Sequence, residues 1–410
     1  TYSPTEYMAS ASPTFDGAVW QDYVATPTFT LSDIGLGPKF VYFKVRNEYW
    51  ESVVVYDTID REAGLPVEMN YVPQGSFLMG RLPEGSGTND DRTYGNSWED
   101  PQHEVSLDAY SIGKYEVTNQ QVCDVLNWAH EKGYLRTSTG EPYPLLYTPW
   151  MFNSTVYAGG SLNPVCFPQL REGGGQNVPG IEYVDGVFSP NTMTGLPDAT
   201  TYSTASFPVS RATWFGAAAF CNWLSEMNGL KPCYDMNSPN WPLVDKLDEQ
   251  TGYRLPTEAE WERAAAWDGA KHWIYAVMSD TLPTNAQCNQ GETNSMGLVM
   301  DEYDISFEGF SPVGWFNGVN VSPNGSVATI NSPSPVNCYD MCGNGDEACQ
   351  DWFDYNYYTN GGPPWINPVG PAMSTLPTGR VKVRVGKGNR GNGLSGDFIR
   401  TAARNTEFVT

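Results

Sequence analysis

The sequence predicts an α+β chain in which a small all-β, sandwich-like domain precedes a larger domain with few helices and much irregular loop. Three observations carry this prediction. The first part of the chain has short runs rich in β-branched and aromatic residues. Further on, capped segments with apolar residues at helical spacing recur. Throughout the 410 residues, 41 glycines and 31 prolines interrupt any regular periodicity.

Residues 1–64 form the predicted β domain. Its short runs are separated by Gly, Pro and Asn, and alternation in one of them places Val41, Phe43 and Val45 on the same face of a strand. The pattern resembles an immunoglobulin-like or fibronectin-III-like repeat of bacterial surface proteins. Because such a sandwich takes about 100 residues, we expect this one to be incomplete at its start, or to be completed by a preceding segment.

Capping signals predict the helices of the larger domain, residues 65–410. Thr257 and Glu260 have the spacing of a capping box ahead of the apolar positions in EAEWERAAAW. Thr118 is a good N-cap for a helix that closes near Gly133. Between these two segments, WFGAAAFCNWLSEMNGL carries apolar residues at helical spacing and predicts a third helix.

The composition excludes several classes of partner. Acidic residues number 47 against 23 basic ones, and the formal net charge of −24 disfavours binding to nucleic acid or to anionic membranes. No apolar run approaches the ~20 residues of a membrane span, so membrane insertion is not expected. The chain begins at Thr1 without Met and shows no signal peptide, which indicates a processed or excised piece.

The eight cysteines indicate a cellular location. No two of them have the C-x-x-C spacing and only three histidines are present, which disfavours a zinc site. An even number of cysteines favours disulfides in an oxidising compartment. We therefore expect an extracellular or cell-surface protein with disulfide bonds, in which Cys342 and Cys349 are close enough in sequence to join across their own loop.

Four segments resemble one family, in the order in which that family has them. GYRLPTEAEWERAAAW closely resembles the signature of the formylglycine-generating enzyme and sulfatase-modifying factor family; KYEVTN, CNWLSEMNGL and YDMCGNGDEACQDW are similar to three further family segments. The resemblance implies a C-type-lectin-like sulfatase-modifying-factor fold for residues 65–410. In the last segment, Asp346 and Ala348 stand where the family usually has two tryptophans.

The same resemblance implies that the catalytic centre is missing. Active members hold a copper ion with two cysteines of a C-terminal segment, since soft thiolates select Cu(I). Aligning this chain on Arg400 and Arg404 puts Gly391 and Gly396 at those two positions, and no cysteine follows Cys349. Glycine supplies neither a thiolate nor a metal ligand. We therefore expect no copper, no catalytic residues and a pseudoenzyme; residual oxidase activity is the alternative.

Calcium is the cofactor that the resemblance implies, in a structural role. Oxygen ligands from Asn, Asp and Glu suit this hard cation. The family holds one calcium ion through the Asn and Glu of a segment that is GNGDE here, which predicts Asn344 and Glu347 as ligands. A second family site predicts Asn285 with Asp304, the alternatives being Asn289 and Asp301.

A binding function is expected because the chain keeps the family's fold signature but lacks its catalytic cysteines. Relatives of this kind include variable ligand-binding proteins of diversity-generating retroelements, in which the C-terminal segment is the binding face. The resemblance implies that the former active-site face binds an unknown protein or glycan, with exposed aromatic and polar side chains as contacts. The predicted ligand-binding residues are Asn389, Arg390, Asn392, Asp397, Tyr355, Tyr357 and Trp365.

A structural role is the alternative hypothesis. An incomplete sandwich at one end, together with the lack of the family's closing strand at the other, suggests a subunit of a surface layer or extracellular filament. Neighbouring copies would then associate by strand addition, in which an edge strand of one chain extends the sheet of another.

Overall fold

A computed structural model gives the fold of most of the chain. It divides the chain into two compact units, Thr1–Leu65 and Pro66–Thr410. The structure describes residues 3–25, 37–61, 67–83, 95–136, 156–158, 164–165, 180–184, 187–194, 201–210, 212, 214–238, 241–289, 310–322, 325–372, 383–388 and 398–408.

The first unit contains one antiparallel sheet of four strands in the order β2-β1-β3-β4. Tyr7 is buried and its ring stacks on that of Phe43 at 5.6 Å, while the Arg46 guanidinium lies 4.2 Å from the Trp20 ring centroid. Within the described residues the strands make a single layer, so the immunoglobulin-like sandwich stays a prediction. The strands are β1 Glu6–Ser10, β2 Gln21–Asp22, β3 Gly37–Arg46 and β4 Val55–Arg61.

The second unit combines four helices with fifteen short strands in its described part. The helices are α1 Asn119–Glu131, α2 Trp214–Met227, α3 Glu258–Ala266 and α4 Tyr357–Asn360. The strands are β5 Met69–Val72, β6 Gly75–Met79, β7 His103–Leu107, β8 Tyr110–Gly113, β9 Leu135–Arg136, β10 Val156–Ala158, β11 Pro164–Val165, β12 Ile181–Val184, β13 Val187–Pro190, β14 Thr192–Thr194, β15 Thr201–Ser203, β16 Glu347–Trp352, β17 Trp365–Ile366, β18 Val383–Lys387 and β19 Asn405–Phe408.

These strands form several small sheets instead of one large one. The sheet β16-β18-β19 is antiparallel, whereas β17-β7-β6 joins a parallel pair to an antiparallel one. Strands β5 and β8 make a separate pair. The predicted α+β fold with few helices and much irregular loop is thereby confirmed. No helix in the described residues is both long and apolar enough to cross a bilayer.

Helix capping occurs where the sequence predicts it. At the start of α3, the Thr257 hydroxyl accepts the Glu260 backbone N–H at 3.1 Å, and the Glu260 carboxylate accepts the Thr257 N–H at 2.8 Å. Thr118 caps α1 in the same reciprocal way, and Gly133 follows that helix with a φ of 69°. A positive φ at this position favours glycine, because a Cβ would strain the backbone.

Helix α3 lies at the centre of the second unit and is buried along its whole length. Trp261, Ala264 and Ala265 pack into the core with residues of β18 and of the 338–353 segment. Its three glutamates are buried too, and each forms an ion pair with a base from a different part of the chain. The pairs are Glu258 with Arg404, Glu260 with Arg254, and Glu262 with Lys387. We call these three pairs the α3 ion-pair network.

The prediction of disulfide bonds is wrong for the described cysteines. Seven of the eight are described, and all seven are buried free thiols. Cys349 lies in β16, whereas the Cys342 sulfur lies 3.8 Å from that of Cys288. The predicted Cys342–Cys349 bond is therefore absent because Cys342 packs against another thiol.

Candidate functional site

A tight turn around Asn344 positions the candidate site. Gly343 and Asn344 have φ angles of 85° and 65°, in the left-handed region. The Asn344 side-chain oxygen accepts hydrogen bonds from Asn289 at 3.1 Å and from the N–H and hydroxyl of Ser311 at 2.8 and 3.0 Å. Its amide nitrogen donates to Glu116 at 2.6 Å. Asn344 thus fixes three chain segments around the turn, and its oxygen is already occupied by protein donors.

Three carboxylates surround this turn, and we call Glu116, Asp340 and Glu347 the acidic cluster. Burial raises the pKa of Asp340 to about 7 and that of Glu347 to about 8. Burial, together with the charges of the other two carboxylates, raises the pKa of Glu116 well above its usual value. Within the described part of the chain, no lysine or arginine forms an ion pair with any of the three.

Neutral donors hold the acidic cluster in place. The Trp261 indole N–H donates to Glu347, and the Gly314 N–H donates to Asp340 Oδ2 at 2.6 Å. The other oxygen of Asp340 is buried and has no hydrogen-bond partner among the described residues. Such a group is costly to bury unless a further donor or a cation satisfies it. The cluster is therefore incomplete as it stands in the protein alone.

A cavity of about 430 Å³ adjoins the acidic cluster. One wall is apolar and includes Ala217 and Phe220 of α2; the opposite wall is the backbone and side chains from Gly345 to Ala348. We call this space the α2 cavity. Asp346 and Ala348, which stand where relatives have two tryptophans, both line it. Ala348 contributes only a methyl group to this lining.

Glu116 and Glu347 reach the wall of the α2 cavity, so the acidic cluster and the cavity share two side chains. The approach of Glu116 depends on Gly345, because a Cβ there would lie 2.8 Å from Glu116 Oε1. Sequence reasoning missed Glu116 as a site residue. It lies within the KYEVTN segment, but its role emerges only from contacts with residues more than 200 positions later, such as Asn344.

The predicted calcium ligands do not all lie in one place in the structure. Glu347 belongs to the acidic cluster, whereas Asn344 is saturated by hydrogen bonds from the protein. Asn289 contacts the turn, and Asn285 lies in a half-buried bend four residues earlier. In the described residues, no group of three or more His, Cys, Asp or Glu converges as a metal-binding set. Asp304 lies outside the described residues.

The three aromatic residues predicted to bind a ligand are half-buried and pack against the core. The Tyr355 ring contacts that of Trp98 at 5.1 Å, and the Tyr357 ring contacts that of Trp365 at the same distance. Packing accounts for all three positions, and a ligand-binding role for them stays a prediction. Asn389, Arg390, Gly391, Asn392, Gly396 and Asp397 lie outside the described residues.

The described thiols are poor candidates for metal or redox chemistry. Burial raises the pKa of Cys221 to about 12 and that of Cys338 to about 11, and it raises the pKa of Cys349 well above its usual value. A thiolate is the form that attacks electrophiles and binds soft metals. At neutral pH these cysteines therefore stay protonated and unreactive.

Comparison with known proteins identifies relatives of the chain. A family model described as the sulfatase-modifying factor enzyme 1-like domain matches residues 57–409. The formylglycine-generating enzyme of Bos taurus is 25% identical over 325 residues, which cover 78% of this chain and 65% of the bovine protein. The chain thus spans about two thirds of that relative's length. The formylglycine-generating enzyme of Thermomonospora curvata is 24% identical over 306 residues, covering 74% of this chain and 78% of that enzyme.

Among solved structures, Treponema denticola variable protein 1 is similar to the chain. It is 21% identical in sequence, with a TM-score of 0.43, and the match covers 86% of this chain and 90% of that protein.

Proposed function

The chain belongs to the family of sulfatase-modifying factor enzyme 1-like domains, and from this premise we propose that it is a non-catalytic ligand-binding member. The ligand site is the α2 cavity. The observation that carries the proposal is the cavity itself, a mostly apolar space of about 430 Å³ with the carboxylates of Glu116, Asp346 and Glu347 on its wall. Pockets for small molecules commonly combine this size with a mostly apolar lining and a few placed polar groups.

Two observations support the proposal that the chain is non-catalytic. Glycines at positions 391 and 396 stand where the family's active members have their copper-binding cysteines. The described cysteines are buried, and burial raises the pKa of those that line or approach the core, such as Cys338 and Cys349. Neither set of positions supplies a pair of accessible thiolates.

An assay for aldehyde formation tests this part of the proposal. The full chain, loaded with copper and mixed with a cysteine-containing peptide, is expected to form no formylglycine, because no exposed thiolate pair is available to bind Cu(I). Mass spectrometry of the peptide measures the product, with the Thermomonospora curvata enzyme as positive control. Aldehyde formation above the rate of copper alone would contradict the proposal.

Calcium at the acidic cluster belongs to the same proposal. The fit rests on the buried Asp340 oxygen without a partner and on carboxylates that no described base neutralises. Asp340 and Glu347 would hold the ion, with Glu116 close by. Since calcium accepts carbonyl and water oxygens as well as carboxylates, two acidic side chains are sufficient for a site.

Calcium is expected to stabilise the protein against unfolding. At a free concentration of about a hundred times Kd, binding adds about 2.7 kcal/mol to the free energy of unfolding. Chemical denaturation with calcium or with a chelator measures the difference. Asp340→Asn should remove the effect, whereas Glu249→Gln, at an exposed site away from the cluster, should retain it. An equal shift in the Asp340 variant would rule out this location.

The proposed extracellular or cell-surface location now rests on different support. The free thiols remove the disulfide argument for it. What supports it is the resemblance of residues 1–64 to repeats of bacterial surface proteins. A role in a surface layer, with self-association through strand addition, remains the alternative.

A further inference from the structure

The α2 cavity has an apolar body. Helix α2 is buried almost all round, and its half-buried Ala217 lines the cavity together with Phe220 and Leu224. Ile112 and Val209 extend this apolar surface. Contact with such a surface favours an apolar or aromatic group, because water is removed from both partners.

One wall of the cavity is acidic and rigid. Asn344 donates to Glu116 at 2.6 Å, and Trp261 donates to Glu347, so neutral groups fix both carboxylates in place. Asp346 adds a third carboxylate that is exposed at the cavity lining. A charge that is held in place before binding loses little conformational freedom when a ligand arrives.

Among the described residues that line the cavity, the only arginine does not neutralise this wall. Arg254 forms two hydrogen bonds of 2.7 Å with Glu260, which is its partner in the α3 ion-pair network. Within the described residues, Glu116 and Glu347 have no ion pair with a lysine or arginine. The cavity therefore combines an apolar surface with two carboxyl groups, Glu116 and Glu347, that have no basic partner among the described residues.

We propose that the α2 cavity binds a small organic cation with an apolar or aromatic body and a protonated amine that contacts Glu116 and Glu347. This inference rests on the proposed binding function and names the class of its ligand. The amine donates charge-assisted hydrogen bonds to the carboxylates, and the apolar body occupies the space between α2 and Ala348. The volume of about 430 Å³ suits a molecule of the size of an arylalkylamine.

Calorimetric titration of the full chain with phenethylamine tests the proposal. Phenethyl alcohol is the neutral control of the same shape, and hydrocinnamate is the anionic one. We expect the amine to bind about tenfold more tightly than the alcohol, since hydrogen bonds to charged groups are the stronger kind. The anion should bind least well. Titrations are run with a chelator, because calcium held by Glu347 would occupy one of the two carboxylates, and are repeated without it to test whether a metal ion mediates the contact.

Three variants locate the site. Glu116→Gln should remove the preference for the amine over the alcohol, and Ala348→Trp should prevent both from binding by filling the cavity. Glu249→Gln, at an exposed ion pair elsewhere, should leave all affinities unchanged. Circular dichroism and thermal unfolding verify that each variant is folded.

The outcomes separate the ligand class from the binding function. Equal affinity for amine and alcohol, both abolished by Ala348→Trp, would overturn the cationic ligand class and leave the cavity as the binding site. Binding of neither compound would overturn the inference and the cavity-based function together. Amine binding that disappears with the chelator would also overturn it, because the contact would then run through a metal ion.

Discussion

Replacing Lys387 with methionine is expected to lower the free energy of unfolding by about 3–5 kcal/mol, the range for breaking a buried ion pair on one side. The Lys387 ammonium is fully buried and lies 3.0 Å from Glu262, whose side chain is 1% exposed. It also lies 5.3 Å from the centroid of the Trp261 ring. The substitution leaves the Glu262 carboxylate buried without its main counter-charge. Urea denaturation of the full chain measures the loss.

Two controls distinguish the loss of the buried ion pair from the removal of a lysine side chain in general. Lys246→Met removes an 81% exposed side chain that lies 4.0 Å from Glu249, and it should change the free energy of unfolding by less than about 0.5 kcal/mol. The double variant Lys387→Met with Glu262→Gln should be more stable than the single Lys387 variant, because no charge is then left unpaired. If Lys387→Met and Lys246→Met behaved alike, the α3 ion-pair network would not stabilise the core.

Acid is expected to weaken the protein through the same pair, by roughly 3 kcal/mol. Burial alone would raise the pKa of Glu262, but the Lys387 charge and the hydrogen bond with His272 outweigh it and lower that pKa from 4.5 to about 2. A carboxyl group whose pKa is lower in the folded state than in the unfolded state stabilises the folded state at any pH above its unfolded-state pKa. The contribution is therefore complete above pH 4.5 and is lost as the pH falls towards 2.

Comparing the pH dependence of two proteins separates the contribution of Glu262 from that of the other acidic groups. Free energies of unfolding are measured from pH 6 down to about pH 3, within reach of the folded pKa. The wild-type chain should lose stability more steeply than the double variant Lys387→Met with Glu262→Gln, which lacks both charges. Parallel pH profiles for the two proteins would show that Glu262 is not the group responsible.

Local features of the fold could be predicted from the sequence. The capping box at Thr257 and the N-cap at Thr118 were predicted because the residue types and, for Thr257, the spacing to Glu260 have the chemistry of a helix start. The mixed fold followed from the same local signals and from the family resemblance. The α3 ion-pair network did not, because Glu258 and Arg404 are 146 residues apart and no local pattern pairs them.

The candidate site was predicted only in part, for a related reason. Glu347 was identified through its motif, and the structure places it in the acidic cluster. Asn344 was predicted as a metal ligand from the same motif, and this role stays a prediction; in the fold its side chain joins Asn289, Ser311 and Glu116. Tertiary packing decides which distant residues lie next to the turn, and the motif alone does not contain that information. The α2 cavity could not be predicted from the sequence either, because no residue pattern marks an empty space between packed elements.

The ion pairs of the buried core have a consequence for synthesis on the ribosome. In two of these pairs the carboxylate is translated long before its base: Glu262 precedes Lys387 by 125 residues, and Glu99 precedes Arg400 by 301 residues. A nascent chain that has not reached these bases would have to bury unpaired acids to close its core. We therefore expect the core of this unit to close only after its basic residues have emerged, which leaves the growing chain accessible to chaperones and proteases until then.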